Sequence, residues 1–135
     1  MKFTIDSKHG YARAGSLTVN NKTINTPAFM TIGTYGSVKT MDTYDLKKCN
    51  VEIILSNAFH LMLRPGTDLI EKFGGLHQLM NWDGLILTDS GGYQVFSLGK
   101  DVKISDKGAE FRSPFNGDKV FMSPEISIDV QTKIN

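Results

Sequence analysis

The run Leu85-Ile86-Leu87-Thr88-Asp89-Ser90-Gly91-Gly92-Tyr93 sets an acid, a hydroxyl, two glycines and an aromatic ring at the end of an apolar stretch. Leu85 to Thr88 reads as a strand buried on both faces, the kind found in parallel sheets covered by helices. In such sheets the ligand sits just beyond the carboxyl end of the strand, which is where Asp89 falls. Gly91 and Gly92 let the backbone approach a ligand and turn through conformations a side chain forbids. Tyr93 offers a flat face for stacking on a planar substrate. Together they describe a pocket for a heterocyclic base. Two plainer readings remain open for the same residues. Asp89 can simply cap a helix, and Ser90 to Tyr93 can be a tight strand-to-helix connection or an anion-binding helix start. An acid directly before the glycines speaks against a dianionic phosphate at that spot.

The elements that must position these groups follow from pattern. Residues 1–25 read as antiparallel strands over Phe3 to Ile5, Ala12 to Val19 and Lys22 to Ile24, with Asn20-Asn21 as a turn pair that tolerates positive φ. Residues 26–99 read as three strand-then-helix units. Their strands are Ala28 to Ile32 (ending at Gly33), Val51 to Leu55 (ending at Ser56-Asn57) and Leu85 to Thr88. Helices are predicted over Thr40 to Lys48 and Asp68 to Phe73, the first with acids early and lysines late, the second closed by Gly74-Gly75. Residues 100–123 change rhythm: Val102 to Ile104, Ala109 to Arg112 and Lys119 to Met122 alternate polar and apolar, predicting an antiparallel β insertion. Residues 124–135 start a further helix behind Ser123 as cap and Pro124 in the first turn. The order argues for a parallel α/β architecture.

Composition narrows the function classes. The 135 residues carry a formal net charge of +1, so nucleic-acid binding must come from a local patch rather than from bulk basicity. One cysteine, Cys49, excludes an internal disulfide and fits a reducing cytoplasm. No apolar run approaches the ~18 residues of a membrane span, and the first residues lack a signal core. With that cysteine and three scattered histidines, His9, His60 and His77, the chain has no metal-ligand spacing.

Thr88-Asp89-Ser90-Gly91-Gly92-Tyr93-Gln94-Val95 resembles the signature of the tRNA-guanine transglycosylases, the queuine tRNA-ribosyltransferase family. Thr26-Pro27-Ala28-Phe29-Met30, Gly36-Ser37-Val38-Lys39, Ser56-Asn57-Ala58-Phe59-His60-Leu61 and Arg64-Pro65-Gly66 resemble the family in the right order. So do Phe111-Arg112-Ser113-Pro114, Gly117 and Ser123-Pro124-Glu125. The likeness covers essentially the whole chain. Tyr93 stands where many members have Phe, and Ala58 where Thr is common. The resemblance implies the N-terminal part of a (β/α)8 barrel, a fold of about 250 residues. Three units do not close such a barrel, so the chain reads as part of a longer enzyme.

The resemblance further implies exchange of guanine in tRNA for a 7-deazaguanine by double displacement. Asp89 is then the general acid/base, bonding the N1–H and exocyclic amine of the base and moving a proton between purines. Ser90, Gly91, Gly92 and Tyr93 shape the pocket. Asn57 lies near the ribose, its plain reading being an asparagine that satisfies a loop, and Ile32 lines the same region. His60, in an Asn-Ala-Phe-His-Leu loop, is expected to be structural or at a subunit contact, and His77 to be ordinary surface. The partners implied are tRNA and the base, with no membrane and with room for a homodimer. No cofactor is expected in these residues. The family's structural zinc and its nucleophilic aspartate are expected outside them. Two rival readings stand beside this one: a catalytically inactive module that binds tRNA or a partner, and an unrelated phosphate-binding barrel enzyme.

Overall fold

The computed structural model describes residues 1–135, arranged as three three-stranded sheets with six short helices. Strands β1 (Lys2–His9), β2 (Ala12–Val19) and β3 (Lys22–Thr26) form an antiparallel meander. Asn20 and Asn21 take φ of 47° and 63° at its second turn, as the Asn-Asn pair predicts. The second sheet is parallel and carries the strands of the three βα units in sequence order. It comprises β4 (Thr31–Ile32), β5 (Ile53–Asn57) and β6 (Leu85–Asp89), with β5 in the centre. The third, β7 (Lys103–Ser105), β8 (Gly108–Arg112) and β9 (Lys119–Met122), is the antiparallel insertion.

The helices are α1 (Thr43–Lys48), α2 (Ala58–Leu63), α3 (Thr67–Lys72), α4 (Leu76–Met80), α5 (Gly92–Ser97) and α6 (Pro124–Lys133). Their starts obey capping chemistry. Asp42 accepts from the Asp45 amide at 2.8 Å, and the Ser123 hydroxyl accepts from the Ile126 amide at 3.2 Å. No helix is long and apolar enough to cross a membrane.

Apolar contacts sort into three groups that explain how the sheets sit together. Leu46, Ile54, Leu61, Ile70, Trp82, Val130 and Ile134 belong to a ten-residue core between β5 and the helices. Ile24 of β3 meets Ile53 and Leu85, the first residues of β5 and β6, so the meander packs at the amino end of the parallel strands. Phe59, Val95, Phe111 and Met122 join α2 and α5 to the inner side of the insertion. The carboxyl ends of β5 and β6 are thereby left to α2, α5 and the loops.

Four expectations are corrected. The strand foreseen over Ala28 to Ile32 shrinks to Thr31–Ile32, because this edge strand shares only two register pairs with β5 and Phe29 stands in solvent. Helix α1 begins at Thr43 rather than Thr40, since Thr40 has φ of 68° and Asp42 takes the capping position. Strand β6 is not buried on both faces: it is the other edge of its sheet, and Leu87 is 39% exposed. The Asn-Ala-Phe-His-Leu segment is the start of α2 and not a loop.

Ile54, fully buried on the central strand, touches the core from which every neighbouring helix is hung. Ile54→Ala is expected to cost about 2–5 kcal/mol of folding free energy, lost transfer energy plus an unfilled cavity. Denaturant unfolding with an unchanged slope would measure it.

Candidate active site

Asn57 and Asp89 are the last residues of β5 and β6 and stand directly opposite one another in the parallel register. Asn57 Nδ2 donates to Asp89 Oδ2 at 2.6 Å. The Ala58 amide, first of α2, donates to Oδ1 at 3.1 Å. Asn57 Oδ1 accepts from the His60 amide at 3.1 Å and so caps α2. One buried side chain, 5% exposed, therefore starts a helix with one end and orients the carboxylate with the other. The two bonds fix both carboxyl oxygens. A carboxylate has about four acceptor positions, so two stay free for donors of a ligand. Asp89 does not cap its own helix; that place at α5 belongs to Gly91, which has no side chain to offer.

The same sheet face supplies a floor. Residues opposite in register share a face, and the face repeats every second residue. Ile32, Leu55 and Leu87 form one row across the three strands, two residues before Asn57 and Asp89. Ile32 and Leu87 are exposed. A planar molecule over that row would meet apolar side chains and find the carboxylate at its edge.

Gly91 is required by geometry. Its φ is +76°, and a Cβ there would lie 2.8 Å from Phe59 Cβ and 3.1 Å from Met122 Cε. Gly92 is under no such demand, its nearest obstacle being the Ser90 hydroxyl at 3.5 Å. Ser90 is pinned from both sides: its hydroxyl accepts weakly from the Gly92 amide, and its carbonyl accepts from Ser127 Oγ of α6 at 2.9 Å. Tyr93 stands on α5 with 76% of its surface in solvent. The structure thus gathers Ile32, Asn57, Asp89 and Ser90 to Tyr93 around the same strand ends. Ala58, Leu55 and Leu87 were not among the site residues expected from the sequence. The signal for Ala58 was an asparagine at a strand end followed by an apolar helix former, an N-cap pattern.

His60 lies half-buried between Tyr35 and Phe59, with ring centroids at 4.9 and 5.2 Å. Its Nδ1 is buried and has no hydrogen-bond partner. Burial lowers its pKa from the usual 6.5, and the negative charge of Asp89 partly offsets the shift. His77 is not ordinary surface: it is half-buried, and its Nδ1 lies 2.9 Å from the Trp82 carbonyl, bracing the turn after α4.

The chain belongs to the queuine tRNA-ribosyltransferase family, whose model matches residues 6–135. The queuine tRNA-ribosyltransferase of Herminiimonas arsenicoxydans is 56% identical over 135 residues, all of this chain and 36% of that protein. That of Neisseria meningitidis is 54% identical over the same span. That of Hydrogenovibrio crunogenus is 56% identical over 134 residues. The chain spans 36% of the length of these curated relatives.

The His60 shift carries a pH signature. A base whose pKa is lowered on folding binds fewer protons folded than unfolded, so stability falls as pH drops below about 6.5. His60→Gln is expected to flatten that segment of a stability-against-pH curve while leaving stability above pH 7 nearly level. Unfolding midpoints collected from pH 5 to 8 would check it.

Proposed function

We propose that this chain is the base-recognition part of a tRNA-guanine transglycosylase. The observation that carries the reading is the Asp89 carboxylate, held on both oxygens by Asn57 and Ala58 beyond an apolar row at the strand ends. Guanine presents an N1–H and an exocyclic amine on one edge, and the free acceptor positions of Asp89 suit that pair. Tyr93, free in solvent on α5, closes on the purine by stacking, and Ser90 to Gly92 shape the wall behind it. The complete enzyme then exchanges guanine in tRNA for a 7-deazaguanine. A carboxylate attacks the anomeric carbon, the base leaves, and the incoming base displaces the carboxylate with net retention. The target base leaves its stack to reach the pocket.

In that reaction Asp89 bonds the departing guanine and gives or takes the proton as the bases change places. Asn57 faces the ribose side and keeps Asp89 aimed. The attacking carboxylate is assigned to none of the residues here. The three-stranded parallel sheet is read as the first part of a (β/α)8 barrel, and the full enzyme as a cytoplasmic protein able to pair as a homodimer. No group of three or more metal-ligating side chains stands together in this chain. The structural zinc of the family is expected outside these residues, and no step is routed through the metal.

Asp89→Asn in the full-length protein is expected to reduce guanine exchange into tRNA close to background with the fold retained. The amide cannot move the proton and turns a donor toward the donors of the base, a loss of roughly 2–5 kcal/mol. Exchange within roughly threefold of the unsubstituted protein would remove Asp89 from this role.

Tyr93 separates stacking from hydrogen bonding. Tyr93→Phe is expected to be nearly silent, whereas Tyr93→Ala weakens guanine binding by about 1–3 kcal/mol. Competitive binding of guanine to the two variants gives the comparison; equal losses would assign the contact to the hydroxyl.

A further inference from the structure

The outward face of the β insertion carries an arrangement that the base pocket does not use. Arg112 on β8 stands directly opposite Lys119 on β9. Like charges facing each other across an antiparallel ladder destabilise the pair, so these two cations oppose the sheet that holds them. The next row of the same face is Lys103, Glu110 and Phe121. Together with Lys100 and Asp101 these charged groups surround a cavity of about 350 Å³. Four cations thus meet two carboxylates on one small surface of a chain whose formal net charge is +1.

None of the four cations is in an ion pair; the pairs in the chain are Lys47–Asp83 and Lys133–Asp129. Arg112 Nη1 donates to the Gly117 carbonyl at 2.9 Å, which steadies the guanidinium and leaves its other N–H groups free. Phe121, 45% exposed, lies beside them in the neighbouring row. The opposite side of this sheet carries Phe111 and Met122, which pack on Phe59 and Val95, with Phe59 and Met122 beside Gly91. The cationic face is therefore the outer side of a layer whose inner side packs beside Gly91, two residues after Asp89.

We propose that this face, with Arg112 and Lys119 at its centre, is a docking surface for the phosphodiester backbone of the RNA whose base enters the Asp89 pocket. The inference rests on the base-exchange reading and extends it to how the polynucleotide is held. Phosphates between Arg112 and Lys119 relieve their repulsion and accept the free guanidinium donors. Phe121 beside the cations suits a nucleic acid, whose bases can stack on a ring, better than an acidic peptide. A chain with no bulk positive charge can bind RNA only through such a concentrated patch.

The test uses the full-length protein and a labelled tRNA, with binding followed by fluorescence anisotropy over a range of salt concentrations. The double variant R112Q/K119Q is expected to lose about tenfold in affinity at low salt and to flatten the slope of log affinity against log salt by roughly 1.4–1.8. Its guanine affinity is expected to stay unchanged. R112K/K119R, which keeps both charges, is expected to keep the slope, and K8Q on the distant meander to leave it untouched. An R112Q/K119Q protein whose RNA affinity and slope match the unsubstituted chain overturns the proposal. So does a variant that loses binding of inorganic phosphate or polyglutamate but not of RNA, which would assign the face to a free anion or an acidic protein. An unsubstituted protein that binds guanine but no RNA also overturns it. One that binds neither brings down the base-exchange reading itself.

Discussion

The hydrogen bonds that Asn57 Nδ2 and the Ala58 amide give to the Asp89 carboxylate join two strand ends and a helix start, and much of the surrounding structure serves to keep them in place. The groups that hold the carboxylate come from a neighbouring unit rather than from its own helix. The parallel register brings Asn57 and Asp89 side by side. Shifting that register by one residue would turn every side chain to the other face and separate them. Burial of Ile54 and Leu61 in the main core holds β5 and α2 in position, so packing energy becomes site geometry.

The insertion also reaches the residues that follow β6. Phe111 and Met122 pack against Phe59 and Val95, and Met122 with Phe59 closes the space beside Gly91 so tightly that no side chain fits. A sheet added after the third strand thus determines the conformation of the residues directly after Asp89. On its other side the same sheet gathers cations without partners. One thin layer separates an apolar contact with the site from a charged face toward solvent, and strand alternation alone is enough to build both.

At the amino end of the parallel strands the meander seats Ile24 on Ile53 and Leu85. That end of the sheet is thereby covered, and Asn57 and Asp89 stand at the other, where parallel α/β proteins generally place their ligands. His60 stands on α2, three residues after Asn57. Its ring is partly withdrawn from water among Tyr35 and Phe59, yet close enough to Asp89 to feel its charge.

The strands of the meander, the three parallel strands in order and the antiparallel insertion were all legible in the sequence, because alternation, apolar runs and turn residues are local signals. So was the cap of α6, since Ser123 and Pro124 lie next to the helix they start. The group of Ile32, Asn57, Asp89 and Ser90 to Tyr93 was legible as residues placed at strand ends. What tertiary structure alone decided was their pairing. That Asn57 aims Asp89 depends on register between strands 32 residues apart. That Gly91 and not Gly92 is indispensable depends on Phe59 and Met122 arriving from two other elements. That Ile32, Leu55 and Leu87 form one row likewise depends on the register among three strands, which no local pattern records.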